Sequence, residues 1–193
     1  MTKWLSHRMV ERGIIKEEEQ ELYQFGIRNG MILLLNVVTA LVIGLLTEQL
    51  AVVAVFTLSF MVLRNYTGGY HSDSRIFCYL GSNLVLLVPV YTQAVFCKTS
   101  LARLLAVLLV SAGIIFLLSP MHSKNRKLDK EEQKHFGRKA RLIAALELAV
   151  LGILWHAGQI PYAYAVYTGI CITALFMLIG KAQLWIQSHT ENG

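Results

Sequence analysis

The side chains best suited to chemistry in this sequence are His71 and Cys78, in a polar stretch from Arg64 to Cys78 that lies between two apolar runs. A thiolate is a strong nucleophile, and a neighbouring histidine takes up the thiol proton and passes it to a leaving group. Such a pair is typical of acyl transfer. The other interpretation is a solvent-facing histidine with an inert, buried cysteine, and the two residues by themselves leave both interpretations open.

The spacing of His71 and Cys78 sets a structural condition on any catalytic pair. In one continuous helix, seven residues separate the two side chains by about 10.5 Å along the axis, which is too far for a hydrogen bond. His71 must therefore lie off the helix that carries Cys78. The pair Gly68-Gly69 lets the chain turn back there, because glycine adopts backbone angles closed to other residues. Ser72 or Asp73 is then expected to cap a helix that has Cys78 in its early turns.

Other polar residues are weaker candidates for chemistry. Asp73, Asn65 and Asn83 are positioned along the sequence to orient His71, but a dyad needs no fixed third member. A metal site built from His71, Asp73, Cys78 and His122 matches no compact ligand motif, so no metal and no other cofactor is expected.

Glu147 lies inside an apolar run, where an acidic side chain is costly and often functional. Pairing with Arg103 or with another polar neighbour and a role in substrate passage are both open. Met121, His122 and His135 are expected to be solvated.

The composition indicates a membrane protein. Hydrophobic residues make up 55% of the 193 residues, charged residues only 16%, and the mean hydropathy is +0.51. Soluble domains carry about 25% charged residues and interrupt their apolar runs more often. The pI of 9.3 does not indicate a nucleic-acid partner, because the chain has neither zinc-ligand spacing nor a basic pattern interleaved with aromatic residues. Three scattered cysteines predict no disulfide framework.

The predicted fold is all-α, with about six transmembrane helices and an amphipathic, interfacial N-terminal segment. Gly13 should interrupt that segment, and Lys16 to Glu19 should open a second short helix. The mixed charges before the first apolar run predict that the N-terminus is retained rather than cleaved as a signal peptide. The apolar runs are Ile27 to Leu46, Leu50 to Leu63, Ile76 to Phe96, Leu101 to Leu118, Leu142 to His156, and Tyr162 to Gly180.

Two features of these runs need a physical account. The second run is short and spans a bilayer only if Glu48 and Arg64 snorkel at its ends or the membrane thins. Pro89 lies inside the third run and should kink it. We predict a single membrane-embedded domain over 1–193, with an N-terminal segment 1–26, a transmembrane bundle 27–180 and a cytoplasmic tail 181–193.

The distribution of basic residues predicts the topology. Sixteen of the eighteen lysines and arginines fall in the N-terminal segment, in the loops after the second and fourth runs, and in the tail. The positive-inside rule therefore places both termini, the Arg64 to Cys78 stretch and the basic loop between Pro120 and Leu142 in the cytoplasm. The lipid bilayer is the predicted environment, and the expected location is a bacterial cytoplasmic membrane.

The string Arg64-x-x-x-Gly68-Gly69-Tyr70-His71, with Cys78 seven residues later, resembles the signature of the accessory gene regulator B (AgrB-type) membrane endopeptidases. The six apolar runs, the amphipathic N-terminus and the loop that opens Pro120-Met-His-Ser-Lys124-Asn125-Arg126 resemble that family too. Many members have a proline soon after the asparagine, whereas this chain has Lys127 and Leu128. That departure puts only the conformation of the loop in doubt.

The resemblance implies a cysteine endopeptidase that removes the C-terminal part of a small propeptide during production of a cyclic quorum-sensing peptide. By position, His71 is then the general base and Cys78 the nucleophile, with Arg64, Gly68 and Gly69 supporting activity. The implied substrate has an amphipathic leader and an acidic tail, and a thioester on the enzyme precedes closure of a thiolactone or lactone ring. Lys124, Asn125, Arg126 and Lys127 are candidate substrate-binding residues, and a homodimer is expected.

Two other functions remain open from the sequence. A small exporter or channel without peptidase activity would need polar residues along a path, and Glu147, Arg103, Asn36 and Asn83 are few for one. A structural partner in a membrane signalling complex would bind without forming an acyl-enzyme. The basic loop has two interpretations as well: attraction of an acidic peptide tail, or enforcement of topology by contact with anionic lipid.

Overall fold

The computed structural model describes residues 2–68, 75–121 and 129–190, and in these ranges the chain is α-helical without a strand. The all-α prediction is confirmed. His71, Gly69 and the Lys124 to Lys127 segment lie outside the described residues. The helices are α1 Thr2–Glu11, α2 Gln20–Leu46, α3 Leu50–Thr67, α4 Arg75–Tyr91, α5 Gln93–Lys98, α6 Leu101–Leu118, α7 Lys130–His156 and α8 Ile160–Thr190.

Four helical segments of the described chain have the length and composition to cross a membrane: Glu17–Leu46, Leu50–Thr67, Leu101–Leu118 and Ile160–Ile186. A shorter apolar helix covers Tyr79–Tyr91. The apolar half of α7 is the fifth predicted run, and it continues a charged half that begins at Lys130. The multi-pass class is therefore established, and a total of six spans stays a prediction.

The chain divides into two compact units, Met1–Thr39 and Ala40–Gly193. In the first unit, α1 is amphipathic, with Trp4 exposed and the Arg8 guanidinium 4.9 Å from its ring. Gly13 has a φ of 65° and follows the end of α1, as the sequence predicted. The expected second short helix is instead a single 3₁₀ turn, Glu17–Glu19, that runs directly into α2.

In the second unit, α8 is the central helix and packs against α3, α4, α5, α6 and α7. It is central because it is buried on two faces. Ala165 and Ile172 pack in one cluster with residues of α3 and α4. Val166, Ile170 and Met177 pack in a second cluster with residues of α6 and α7. Many large apolar side chains on the outer faces of the other helices are exposed, as expected of a surface that meets lipid.

The directions of the helices follow from these contacts. The early turns of α3, at Val52 and Phe56, share a cluster with the last turns of α4, at Leu86 and Val90. The two helices are therefore antiparallel neighbours. Phe60 of α3 lies beside Phe176 of α8. Tyr66, near the end of α3, lies beside Phe136, near the start of α7, so α7 begins where α3 ends. The end of α3 and the beginnings of α4 and α7 thus share one end of the unit, which we call the Arg64 end.

Three helices differ in length from the predicted runs. The α3 helix continues past Leu63 to Thr67, so its 18 residues exceed the short apolar run. The α8 helix continues past Gly180 to Thr190, so much of the predicted tail is helical. The α4 helix ends at Tyr91, two residues after Pro89, and the chain resumes as α5 at Gln93.

The predicted basic loop is also shorter than expected. From Lys130 onwards its charges lie on the first three turns of α7, and only 119–129 separates α6 from α7. The start of α7 is specified locally: the backbone N–H of Asp129 donates to Glu132 Oε2 at 3.3 Å in a capping box.

Candidate active site

The helix that carries Arg64 ends before position 71. The α3 helix ends at Thr67, and Gly68 follows with φ 71° and ψ −155°, a conformation that is essentially restricted to glycine. The next helix, α4, begins at Arg75, which puts Cys78 in its first turn. One straight helix from Arg64 through Cys78 is therefore excluded, and residues 69–74 lie outside the described residues. The proposed caps Ser72 and Asp73 lie outside the described residues.

The antiparallel packing of α3 and α4 brings Arg64 and Cys78 to the same level. Phe56 and Leu86 lie in one cluster, Arg64 follows Phe56 by eight residues, and Cys78 precedes Leu86 by eight. At 1.5 Å per residue, both positions lie about 12 Å from the shared cluster in the same direction. The backbone of α4 thus carries Cys78 to the Arg64 end of the bundle.

Arg64 packs against two aromatic rings. Its guanidinium carbon lies 4.8 Å from the ring centroid of Phe176 and 5.8 Å from that of Phe60. Phe60 is one turn earlier on α3, and Phe176 belongs to α8. Contacts of this kind are favourable because the faces of aromatic rings attract cations. The arginine is half-buried, and the two rings hold the charged group at the end of the helix.

The end of α3 is joined to the segment that follows α6. The backbone N–H of Met121 donates a 2.9 Å hydrogen bond to the carbonyl oxygen of Thr67, which is fully buried. A Cβ atom on Gly68 would lie only 2.6 Å from the Met121 carbonyl oxygen. Met121 is half-buried, so the expectation that it is solvated was wrong. It had looked solvated because its partner, Thr67, is more than fifty residues away in the sequence.

The same segment packs against α7. A Cβ on Gly137 would lie 2.9 Å from Pro120 Cδ, so the absence of a side chain permits this approach. The ring of Tyr66 lies 6.2 Å from that of Phe136, and Lys139 Nζ is 5.7 Å from the Tyr66 ring. We call the contact of Thr67, Gly68, Pro120, Met121 and Gly137 the junction. In the sequence, His71 follows Gly68 by three residues, and Lys124 follows Met121 by three.

The residues that were weaker candidates for chemistry either form hydrogen bonds elsewhere or are exposed. Asn83 Nδ2 donates to the Tyr79 carbonyl in its own helix at 2.9 Å, and Asn65 is exposed. Glu147 Oε2 accepts a 2.8 Å hydrogen bond from Ser59 Oγ, so its partner is a serine of α3 rather than Arg103, which is exposed. His135 is exposed on α7 as expected. In 2–68, 75–121 and 129–190, no three potential metal ligands cluster.

Sequence reasoning missed Phe60, Phe176 and the junction. The spacing of Phe60 and Arg64 by four residues on one helix was a signal that could have been used, because side chains at that spacing meet. Phe176 and Met121 left no such signal, since their contacts are made by helices far apart in the sequence.

The fold and its composition define a multi-pass α-helical membrane protein, with a junction at one end where two helix ends and a third helix meet. Residues 1–179 match the family accessory gene regulator B. The chain belongs to that family, which supports a role in accessory gene regulation.

Two relatives from Clostridium perfringens are similar to the chain. AgrB-like protein 2 of strain 13 is 25% identical over 134 residues, which are 65% of this chain and 61% of that relative. An AgrB-like protein of strain SM101 is 22% identical over 151 residues, which are 74% of this chain and 69% of that relative. The chain thus spans about three fifths of the first relative's length. No solved structure matches the chain.

Proposed function

We propose that this protein is a membrane cysteine endopeptidase that cleaves a small quorum-sensing propeptide through a thioester on Cys78. The observation that carries the proposal is the end of α3 at Thr67, with Gly68 in a conformation restricted to glycine, which excludes one straight helix from Arg64 through Cys78. Family membership supports the same function, because AgrB proteins process quorum-sensing peptides.

The chemistry would run in two balanced steps. His71 takes the proton from the Cys78 thiol, and the thiolate attacks the scissile carbonyl carbon of the propeptide. The C–N bond breaks, the amine of the C-terminal fragment leaves with the proton from His71, and a thioester joins the N-terminal fragment to Cys78. A thiol or hydroxyl of that fragment then attacks the thioester, which forms a thiolactone or lactone and returns the thiolate to Cys78.

Exclusion of water decides whether the thioester cyclises or hydrolyses. At the Arg64 end, Thr67 is fully buried, and Met121, which is hydrogen bonded to it, is half-buried. A position at the edge of a membrane would protect an acyl-enzyme in the same way. We propose that this end faces the cytoplasm, since it carries most of the basic residues, and that the enzyme acts as a homodimer.

The substrate is proposed to bind across the junction. Thr67 and Met121 are hydrogen bonded, and in the sequence His71 follows Thr67 by four residues and Lys124 follows Met121 by three. Lys124, Asn125, Arg126 and Lys127 would meet the acidic tail of the propeptide, and α7 adds exposed cations at Lys134, Arg138 and Arg141.

The exporter alternative receives little support from the described residues. Asn36 and Asn83 donate to carbonyls of their own helices, and Glu147 is hydrogen bonded to Ser59. Arg103 is exposed near the start of α6 rather than inside the bundle. These four side chains do not form a polar path.

The test is a cleavage assay with the protein purified in detergent. The substrate is the propeptide from the neighbouring reading frame, expected to be a peptide of roughly 40 to 60 residues with an amphipathic leader and an acidic tail. Cys78→Ala and His71→Ala should abolish cleavage, whereas Cys97→Ala and Cys171→Ala should cleave at the wild-type rate. Cleavage at the wild-type rate by Cys78→Ala would overturn the proposal.

A further inference from the structure

Two contiguous cavities lie at the end of the bundle opposite Arg64. Their volumes are about 210 and 340 Å³, and they share Phe96, Leu101, Leu104 and Trp155. The smaller one extends along α6 to Leu108 and is closed on its other side by α7. We call the two together the Trp155 groove.

The groove lies where α5, α6 and α7 meet, at a position where α7 has a glycine and therefore no side chain. Gly152 lines it, and a Cβ atom added there would have no other atom within 4 Å. The α4 helix ends just after Pro89, and the short α5 helix sends Phe96 into the bundle, where it contacts Tyr164 and Trp155. The cleft between α6 and α7 is therefore left unfilled.

The lining is apolar but remains accessible from outside. Leu101 is 54% exposed, Leu105 47% and Trp155 37%. Leu101 and Leu105 occupy the first two turns of α6, a segment with the length and composition to cross a membrane, and Trp155 lies near the end of α7. The surrounding medium at that depth is hydrocarbon, so an open apolar cleft there is filled by lipid rather than by water.

One cation lies at the mouth of the groove. Lys98 ends α5, is exposed, and stands between Cys97 and Thr99, which both line the larger cavity. Arg103 is exposed as well, but it lies on the face of α6 opposite the residues of that helix that line the groove. The position of Lys98 beside a largely apolar cleft matches a ligand with an anionic head and a hydrocarbon tail.

The dimensions fit an acyl chain that enters from the near membrane surface. From Leu101 to Leu108, α6 rises by about 10 Å, which is most of the depth of one leaflet of roughly 15 Å. A chain held beside these turns would keep its phosphate close to Lys98. Trp155 would lie at the same level, where aromatic residues prefer the interface.

We propose that the Trp155 groove is a phospholipid site, which holds one acyl chain between α6 and α7 and the lipid phosphate at Lys98. The site is independent of the peptidase chemistry, since it lies at the other end of the bundle. It would fill the cleft between these two helices and fix their packing against α8.

The first test measures lipid retention by native mass spectrometry, with phosphatidylglycerol added to delipidated protein in detergent. The wild-type protein should keep one lipid. Gly152→Leu places a side chain in the groove and should weaken retention at least tenfold. Gly113→Leu is the matched control, because a Cβ there also has open space but lies outside the groove. Equal retention by Gly152→Leu and the wild type would overturn the proposal.

The second test uses the unaltered protein, so it does not depend on the folding of a variant. Phosphatidylglycerol with a photoactivatable acyl chain should cross-link within 101–108 or 151–156. Labels confined to other helices would contradict the site. A second copy of this chain in the groove, detected as efficient disulfide dimers through the neighbouring Cys97, would contradict it as well.

The phosphate contact has its own test. Lys98→Gln should lower phosphatidylglycerol retention severalfold, while Arg103→Gln, on the other face of α6, should not change it. If Lys98→Gln retains the lipid as the wild type does, the assignment of the phosphate to Lys98 is wrong.

Discussion

The backbone N–H of Met121 donates a 2.9 Å hydrogen bond to the carbonyl oxygen of Thr67, which joins the end of α3 to the segment that leads into α7. Thr67 precedes the glycine pair and His71, and Met121 precedes the Lys124 to Lys127 segment. This one bond holds Thr67 beside Met121, the two positions that the proposed catalytic and substrate-binding segments follow in the sequence.

Replacement of Gly68 tests the junction. Gly68→Ala would place a Cβ 2.6 Å from the Met121 carbonyl oxygen, in a backbone conformation with φ 71° that alanine avoids. We expect a loss of stability of about 1–3 kcal/mol and a larger loss of cleavage. Thermal unfolding in detergent and the cleavage assay measure the two effects. Gly113→Ala, at an open position of α6, should change neither, and an active, equally stable Gly68→Ala would refute the role of the junction.

The aromatic rings around Arg64 predict that lysine cannot replace it. Lysine keeps the charge but lacks the planar group that lies 4.8 Å from the Phe176 ring. Arg64→Lys and Phe176→Leu should each reduce kcat/KM about tenfold, in keeping with an interaction of about 0.5–2 kcal/mol. Phe116→Leu, on the outer face of α6, serves as the matched control and should cleave normally. Full activity of Phe176→Leu would show that the ring does not position Arg64.

The hydrogen bond from Ser59 to Glu147 predicts a stability effect. Ser59→Ala would remove the donor to Glu147 Oε2 and leave a carboxyl oxygen without it among three packed helices, where Gly169 also approaches Ser59 Oγ. We expect a loss of about 1–3 kcal/mol, read as a lower midpoint of thermal unfolding. The exposed Ser100→Ala should unfold at the wild-type temperature. An unchanged midpoint for Ser59→Ala would mean that this bond contributes nothing to packing.

The proposed orientation is testable through cysteine labelling in intact cells. Cys97 is exposed at the end of the bundle opposite Arg64, so a membrane-impermeant maleimide should label it from outside in a background without Cys78 and Cys171. A cysteine at position 181 should react only after the cells are permeabilised. The reverse labelling pattern would invert the topology.

The sequence predicted the membrane helices better than it predicted the contacts of the candidate site. The apolar runs predicted the membrane helices, because hydrocarbon demands long uninterrupted stretches of apolar residues. The basic residues after Pro120 were interpreted as a loop, yet from Lys130 they continue α7, since Asp129 and Glu132 cap a helix that the count of charges does not reveal. Helix ends were therefore less predictable than helix centres.

The site was predictable only where residues are close in sequence. The need for His71 to lie off the helix that carries Cys78 followed from the seven-residue spacing of the two, and the glycines at 68 and 69 indicated where the chain turns. The contacts of Arg64 with Phe176, of Thr67 with Met121, and of Gly137 with Pro120 depend on how helices far apart in the chain pack. Such contacts leave no local pattern, so they required the structure.

The most direct test of the central claim is detection of a thioester on Cys78. Wild-type protein mixed with the propeptide and quenched in acid should gain the mass of the trimmed N-terminal fragment, on the peptide that contains Cys78. Hydroxylamine should release that mass, and His71→Ala should not form it at a measurable rate. Cleavage of the propeptide with no adduct at any time point, together with full activity of Cys78→Ala, would contradict the claim that Cys78 carries the reaction.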